Sequence, residues 1–282
     1  MSRTPSRLVA MWCWYHGAPY RGYQAQALGP TVQQTLLDAM ARIGLHRNVV
    51  ASGRTDAGVH ARMQVLSFRL EGELPVEELP ARLNAHLPPS LGVALARQAP
   101  PHFNAHWRSS MKEYRYRLLV GADERWAPVA WAVDVTPEAI SEVLQVAVGA
   151  HDFSAFHARR SAVRERVIER VEVVEPSPGL LDVRVRGDRF GKYMVRSLIG
   201  GAVAVASGAW SRDEFAEALA RGSTADPEGP EQTRRRLGHG DRAPAAGLVL
   251  WSVEYPPADD PFTAQERREA REVPRGPPFS TD

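Results

Sequence analysis

Cysteine is almost missing from this sequence: its 282 residues include one, Cys13. A lone thiol excludes a disulfide framework within the chain and a cysteine-rich zinc site. Long hydrophobic runs are missing as well. Nothing approaches the roughly 18 consecutive apolar residues that a membrane span needs. In MSRTPSRLVAMWCWYHG the apolar part is too short for a secretory signal. The expectation is a soluble, cytoplasmic chain with no membrane partner. Lysine is the third scarcity: of 35 Lys plus Arg only Lys112 and Lys192 are lysines, leaving 35 − 2 = 33 arginines. A net charge of only +2 by itself points to no particular partner.

What is present begins with arginine. Its planar fork suits phosphates and its face stacks on bases. A codon bias toward Arg and Ala accounts for such a count without any function, so position says more than number. RRSAVRERVIER (159–170) and RRRLGHGDR (234–242) concentrate positive charge in or beside apparent loops. Such clusters suit an RNA backbone, and they equally suit an ordinary solvated face.

Apolar content of 44% is enough for one large core or two modest ones. Periodicity and turn residues then order the elements. RLVAMWCWYH reads as a strand. TVQQTLLDAMARIG reads as a helix with Thr31 as N-cap, Gln34 completing a capping box, Val32, Leu36, Met40 and Ile43 on one face, and Gly44 past its end. A short apolar piece near Val49, a loop around Asp56, a strand QVLSFRL (64–70), a helical stretch VEELPARLNAHL weakened by Pro80, and a strand GVALARQA (92–99) follow. The order is β-α-β-β-α-β. From EYRYRLLVG (113–121) it repeats, with a helix capped by Thr136 with Pro137 at its first position. Two strands joined by Pro-Ser-Pro-Gly come next, then a buried helix KYMVRSLIGGAVAVASG, an amphipathic helix SRDEFAEALARG, and a closing strand GLVLWSVEYP (247–256). The prediction is an α+β fold of two ferredoxin-like split β-α-β halves, residues 1–110 and 111–257, whose antiparallel sheets join. Helices on one face would leave the other free as a broad groove for an elongated polar ligand. Residues 258–282, rich in Pro and charge and without periodicity, read as a loosely attached tail.

The loop around Asp56 sits in ASGRTDAGVHARMQVLSFRL (51–70). Gly53 and Gly58 permit tight turns that expose the carboxylate, and an Asx-turn that merely satisfies local N–H groups is the ordinary alternative. The whole string GRTDAGVHA is similar to the signature of the tRNA pseudouridine synthases of the TruA family. So, in chain order, are YHGAPYRGYQAQ (15–26), NAHLPPSLGV (84–93), KEYRYRLL (112–119), GAHDFSAF (149–156), FGKYMVRSLIGGAV (190–203) and APAAGLVLWSVEYP (244–257). The resemblance runs from about residue 8 to 257.

It implies that Asp56 is the catalytic aspartate and that Tyr114 stacks on the target base. It also implies that Arg196 pairs with the aspartate and that Arg54 helps hold the target nucleotide out of its helix. The reaction it implies turns uridine into pseudouridine at positions 38, 39 and 40 of the tRNA anticodon arm, in a homodimer in which one tRNA is contacted by both subunits, with no metal or other cofactor. That chemistry needs an ionised carboxylate able to act as nucleophile, and a neighbouring cation that keeps it ionised where water is scarce. A core tyrosine and a snorkelling cation are the plain alternatives for Tyr114 and Arg196. His102 and His106, four apart, could ligate a metal if helical, but APP before them argues for extended chain. Three positions depart from the family: His16 stands where Asp is usual, Tyr23 where Trp is usual, and His106 where an RNA-contacting Arg is usual. They leave open a narrower set of modified uridines, or an RNA-binding or tRNA-folding protein with weak catalysis.

Overall fold

The computed structural model describes residues 6–157, 165–221, 242–269 and 272–279. Over these, the chain packs as two compact units, Met1–Ser110 with Val249–Ser280 and Met111–Leu248. The fold is α+β. The first unit opens with β1 (Ser6–Tyr15), α1 (Val32–Arg42), β2 (Val50–Ala51), β3 (His60–Glu71), α2 (Leu79–Asn84) and β4 (Leu91–Gln98). β1 lies between β4 and β3, and β2 pairs with β3, all antiparallel. This is the 4-1-3-2 arrangement of a split β-α-β unit.

Because β1 has a neighbour on each side and cover on both faces, its sequence is a continuous apolar run rather than an alternation. Met11, Trp12, Cys13 and Tyr15 are all buried, and burial pushes the Cys13 thiol well up. α1 starts where Thr31 Oγ1 accepts the Gln34 N–H at 3.2 Å. The Gln34 side chain does not reach back to complete a capping box; it donates forward to Asp38 Oδ1 at 2.8 Å, since a carboxylate one turn along the same face is the stronger acceptor. Instead the N–H groups of Val32 and Gln33 donate to the carbonyls of Gly22 and Tyr23, which ties the helix to the loop before it. At the other end Gly44 adopts φ 78°, and the N–H groups of Gly44 and Leu45 return to Ala41 and Met40, closing a Schellman motif.

The second unit comprises β5 (Met111–Leu119), β6 (Trp131–Ala132), α3 (Pro137–Gln145), β7 (Gly149–Asp152), β8 (Glu165–Ser177), β9 (Leu180–Gly187), α4 (Met194–Ala206) and α5 (Arg212–Arg221). Its sheet runs β5-β9-β8-β7 with antiparallel pairs, and the short β6 adds to β5 in parallel. Thr136 caps α3 by accepting the Ala139 N–H. α4 is buried on nearly every side, which is why it reads as apolar all round. The centre of this sheet carries a buried ion pair. Asp182 on β9, 1% exposed, accepts from Arg117 on β5, 0% exposed, and more distantly from Arg115 and Arg184. Of the two basic clusters, 158–164 and 222–241 lie outside the described residues, so 234–242 is seen only at Arg242.

The chain then returns. β10 (Leu248–Glu254) runs parallel to β3, Val249 opposite His60 and Leu250 opposite Ala61. α6 (Ala264–Glu269) follows. The described residues after Pro256, 257–269 and 272–279, pack on the first unit. Cross-strand partners place Ala10, Trp12, Val65, Ser67, Leu95 and Arg97 on one face of the sheet, and the returning segment lies over that face. Phe262 meets Trp12 and Phe279 meets Trp14 edge-on. Glu266 pairs with Arg97, and Arg267 donates to Asp260, the Val253 carbonyl and Met63 Sδ. Its anchors show no helical or strand period because most of the segment crosses the sheet as irregular chain, each anchor set by what lies beneath.

Asp182→Ala is expected to cost about 3–5 kcal/mol, because it strands a buried guanidinium. The double change Arg117→Met with Asp182→Leu should recover most of that loss. Urea unfolding of both variants measures it.

Candidate active site

The segment from Ser52 to His60 is held from behind by buried polar side chains. Thr55, 7% exposed, turns inward, and its Oγ1 lies 2.8 Å from the Tyr15 hydroxyl. Gln64, fully buried in the middle of β3, donates to the Gly53 carbonyl at 2.8 Å and accepts from Ser52 Oγ at 2.6 Å. It also reaches Tyr15 Oη at 3.4 Å. Burial holds the Tyr15 phenol protonated far above its usual range, so it stays a hydrogen-bonding hydroxyl at any physiological pH. With Thr55 turned in, its neighbours turn out: Arg54 is exposed and Asp56 partly so. The turn closes through its own main chain, Val59 N–H on the Asp56 carbonyl at 3.1 Å, with Gly58 at φ 79° at the third position where such turns demand glycine.

A second loop, 17–23, locks against the first. Tyr23 N–H donates to the Thr55 carbonyl, Gly58 N–H to the Tyr20 carbonyl, and Gly17 N–H to His60 Nδ1. The approach is backbone to backbone. A Cβ at Gly17 would stand 2.1 Å from the Val59 carbonyl oxygen, and one at Gly22, itself at φ 95°, would stand 2.9 Å from that of Thr55. No other residue type fits at Gly17 without moving main chain. The YRGY loop, α1 and the Asp56 loop are therefore one hydrogen-bonded assembly.

The other two predicted residues belong to the second unit. Tyr114, on β5 opposite Val185, is 7% exposed with its ring edge-on to Phe190 at 5.0 Å. Arg196 sits in the first turn of α4. Its Nε donates to the Ala243 carbonyl at 2.8 Å, while Ala243 N–H donates to the Arg196 carbonyl. Two further features here escaped the sequence reading. Tyr193, just before α4, has φ 70°, an uncommon conformation for a bulky residue that costs energy and collects at functional sites. Its ring is approached by Lys192 Nζ at 4.7 Å, Arg196 at 5.6 Å and Arg242 at 3.8 Å, the distances of cation–π contacts. Lys192 and Arg196 are local to Tyr193, but no local spacing shows Arg242, the nearest of the three cations to the ring, which is distant in sequence.

The departures from the family pattern have definite surroundings. His16 lies among the rings of Trp14, His60 and Phe279, at 6.2, 5.9 and 4.8 Å, and burial lowers its pKa, favouring neutral imidazole. A carboxylate there would be desolvated against Phe279. Tyr23 is 2% exposed, and among the described residues its hydroxyl has no hydrogen-bond partner. His106 Nδ1 lies 3.1 Å from the Ser52 carbonyl oxygen, whereas His102 Nε2 lies 2.6 Å from Asp259 Oδ1, so the two histidines serve different partners. Among the described residues, no group of three or more His, Cys, Asp or Glu is placed to hold a metal.

A family model described as tRNA pseudouridine synthase matches residues 15–108 and 143–256, most of both units. The chain belongs to the tRNA pseudouridine synthase family. Among curated relatives, the tRNA pseudouridine synthase A of Bacillus pumilus is 33% identical over 252 residues, 86% of this chain and 96% of the relative. That of Anoxybacillus flavithermus is 36% identical over 248 residues, again 86% and 96%. A solved Cbf5-Nop10-Gar1 complex superposes with a TM-score of 0.35 at 17% identity, over 69% of this chain and 44% of that one, too distant to inform the site. This pseudouridine synthase is thus an isomerase, and no helix among its described residues is long and apolar enough to cross a membrane.

Thr55→Val keeps the shape of the side chain and removes the hydroxyl that meets Tyr15. Stability should fall by about 1–3 kcal/mol, the cost of an unsatisfied buried polar group. Single-turnover pseudouridine formation should slow at least several-fold with tRNA affinity held. An unchanged rate in the folded variant would mean that this brace does not position the loop.

Proposed function

We propose that this synthase isomerises uridine in the anticodon stem-loop of tRNA, at positions 38, 39 and 40, with Asp56 as the nucleophile. The observation that carries the proposal is the turned-out pair Arg54 and Asp56 on a loop whose back is fixed by Thr55, Tyr15 and Gln64. A carboxylate on a rigid support can be held at attack distance without ordering the chain at each turnover. In the reaction the N1–C1′ bond breaks, either as Asp56 bonds to C1′ or as it takes the C2′ proton to leave a glycal. The uracil rotates, a C5–C1′ bond forms as the Asp56 bond breaks or the proton returns to C2′, and the proton on C5 is lost while N1 gains one. Nothing is oxidised or reduced. Tyr114 would stack on the detached base and Arg196 would supply positive charge, as the resemblance implies for both. A paired or stacked uridine hides its glycosidic bond, so the nucleotide has to leave its stack at a cost of about a few kcal/mol. Arg54, two residues from Asp56 and exposed, is suited to the space or the phosphate left behind, through a bidentate guanidinium that lysine lacks. The reading includes a cytoplasmic location, where the substrate is made, and a homodimer.

Asp56→Ala should abolish pseudouridine formation while tRNA binding stays within a few-fold, because most affinity for RNA comes from phosphate contacts. In the same assay Arg54→Lys should keep affinity and its salt dependence but lower the saturated rate about tenfold, roughly 1.4 kcal/mol of transition-state stabilisation. Carbodiimide mapping of the product locates the modified uridines, and turnover by purified Asp56→Ala would sink the assignment. Light scattering of the active enzyme should give about twice the 31.1 kDa chain mass; a monomer would remove the dimer.

A further inference from the structure

We infer that Trp107 is a stacking platform for an unpaired base of the substrate RNA beside the Asp56 loop, an inference that rests on the proposed function. The other six tryptophans are buried or partly buried, but Trp107 is 79% exposed. At that exposure the indole contributes little to the core, so stability does not explain it.

The turn that carries it is nonetheless held in place. Asn104 Oδ1 accepts the N–H groups of both His106 and Trp107, each at 3.0 Å. The Arg108 N–H donates to the Asn104 carbonyl, and Ser109 Oγ donates to the His106 carbonyl. Beneath the turn, fully buried Ala105 donates to Ser67 Oγ and accepts from the Tyr255 hydroxyl at 2.9 Å. Because the main chain of the turn is already ordered, only the side-chain torsions of the indole remain to be fixed on binding.

Its location gives it an occupant. His106 stands edge-on to the Trp107 ring, centroids 4.8 Å apart and planes at 73°, and the same imidazole meets the Ser52 carbonyl, four residues before Asp56. The histidine therefore couples the turn that carries the indole to the loop that carries the carboxylate. Bases within an A-form helix do not offer their faces, whereas those of loops and extruded nucleotides do. A base next to the target uridine is the group that matches a free indole face here. Stacking of this kind tolerates any base identity.

The test uses the full-length enzyme and an unmodified tRNA transcript. Trp107→Ala and Trp107→Leu should weaken tRNA binding about fivefold or more, and raise KM to match. Trp107→Phe should restore most of the affinity, because an aromatic face and not bulk is required. Melting temperatures should stay at the wild-type value. Tryptophan fluorescence should be quenched by tRNA in the wild type, with that quench largely lost in Trp107→Phe. Wild-type affinity in the alanine and leucine variants would overturn the inference and leave Trp107 a solitary exposed apolar residue, as would equal loss in all three variants or a fall in melting temperature that accounts for the weakening. If the wild type formed no pseudouridine, the proposed function would fail, while binding and quenching would still decide whether Trp107 meets RNA.

Discussion

The inward turn of Thr55 is the constraint on which the site of the first unit depends. One hydroxyl, buried against Tyr15 and backed by Gln64, decides which side chains of the GRTD string face out. In water these groups would be equally well hydrogen-bonded, so the net stability from each bond is modest. Inside the protein, an unmade partner would leave a buried polar atom unsatisfied, and that asymmetry enforces one geometry. The brace converts a flexible glycine-flanked segment into a rigid presenter of Arg54 and Asp56.

The same logic explains the glycines around it. Loop 17–23 and loop 52–60 approach main chain to main chain, and at Gly17 a single Cβ would drive atoms to 2.1 Å. The carbonyls of Gly22 and Tyr23 in turn complete the N-terminus of α1. Helix start, first loop and Asp56 loop are thus satisfied by one another, and a change in any of them is felt at the carboxylate. This is support by a second layer of hydrogen bonds, which precise sites require.

The returning segment modifies the picture of an open sheet face. Phe262 and Phe279 cover Trp12 and Trp14, and α6 adds ion pairs to Arg97 and Asp260. His16, one of the departures from the family pattern, packs its ring against Phe279 at 4.8 Å. An uncharged ring suits that apolar cover where a carboxylate would lose its hydration without repayment. The departure and the extra segment are two parts of one local arrangement.

The sequence by itself determined the α+β class, the order of elements in the first unit, the caps at Thr31, Gly44 and Thr136, and the candidacy of Asp56. Each of these is a local matter: periodicity, capping and turn chemistry act over a few residues, and a long motif match needs no coordinates. Tertiary structure alone decided what depends on neighbours distant in the chain. β10 found β3, and the tail found the sheet, because their anchors are chosen by the surface they meet and leave no period behind. Tyr15 and Gln64 read as part of two strands until folding put both behind Thr55. Arg242 came to lie over Tyr193 in the same way. Contacts between residues tens of positions apart set these outcomes, through burial that a linear reading cannot assign.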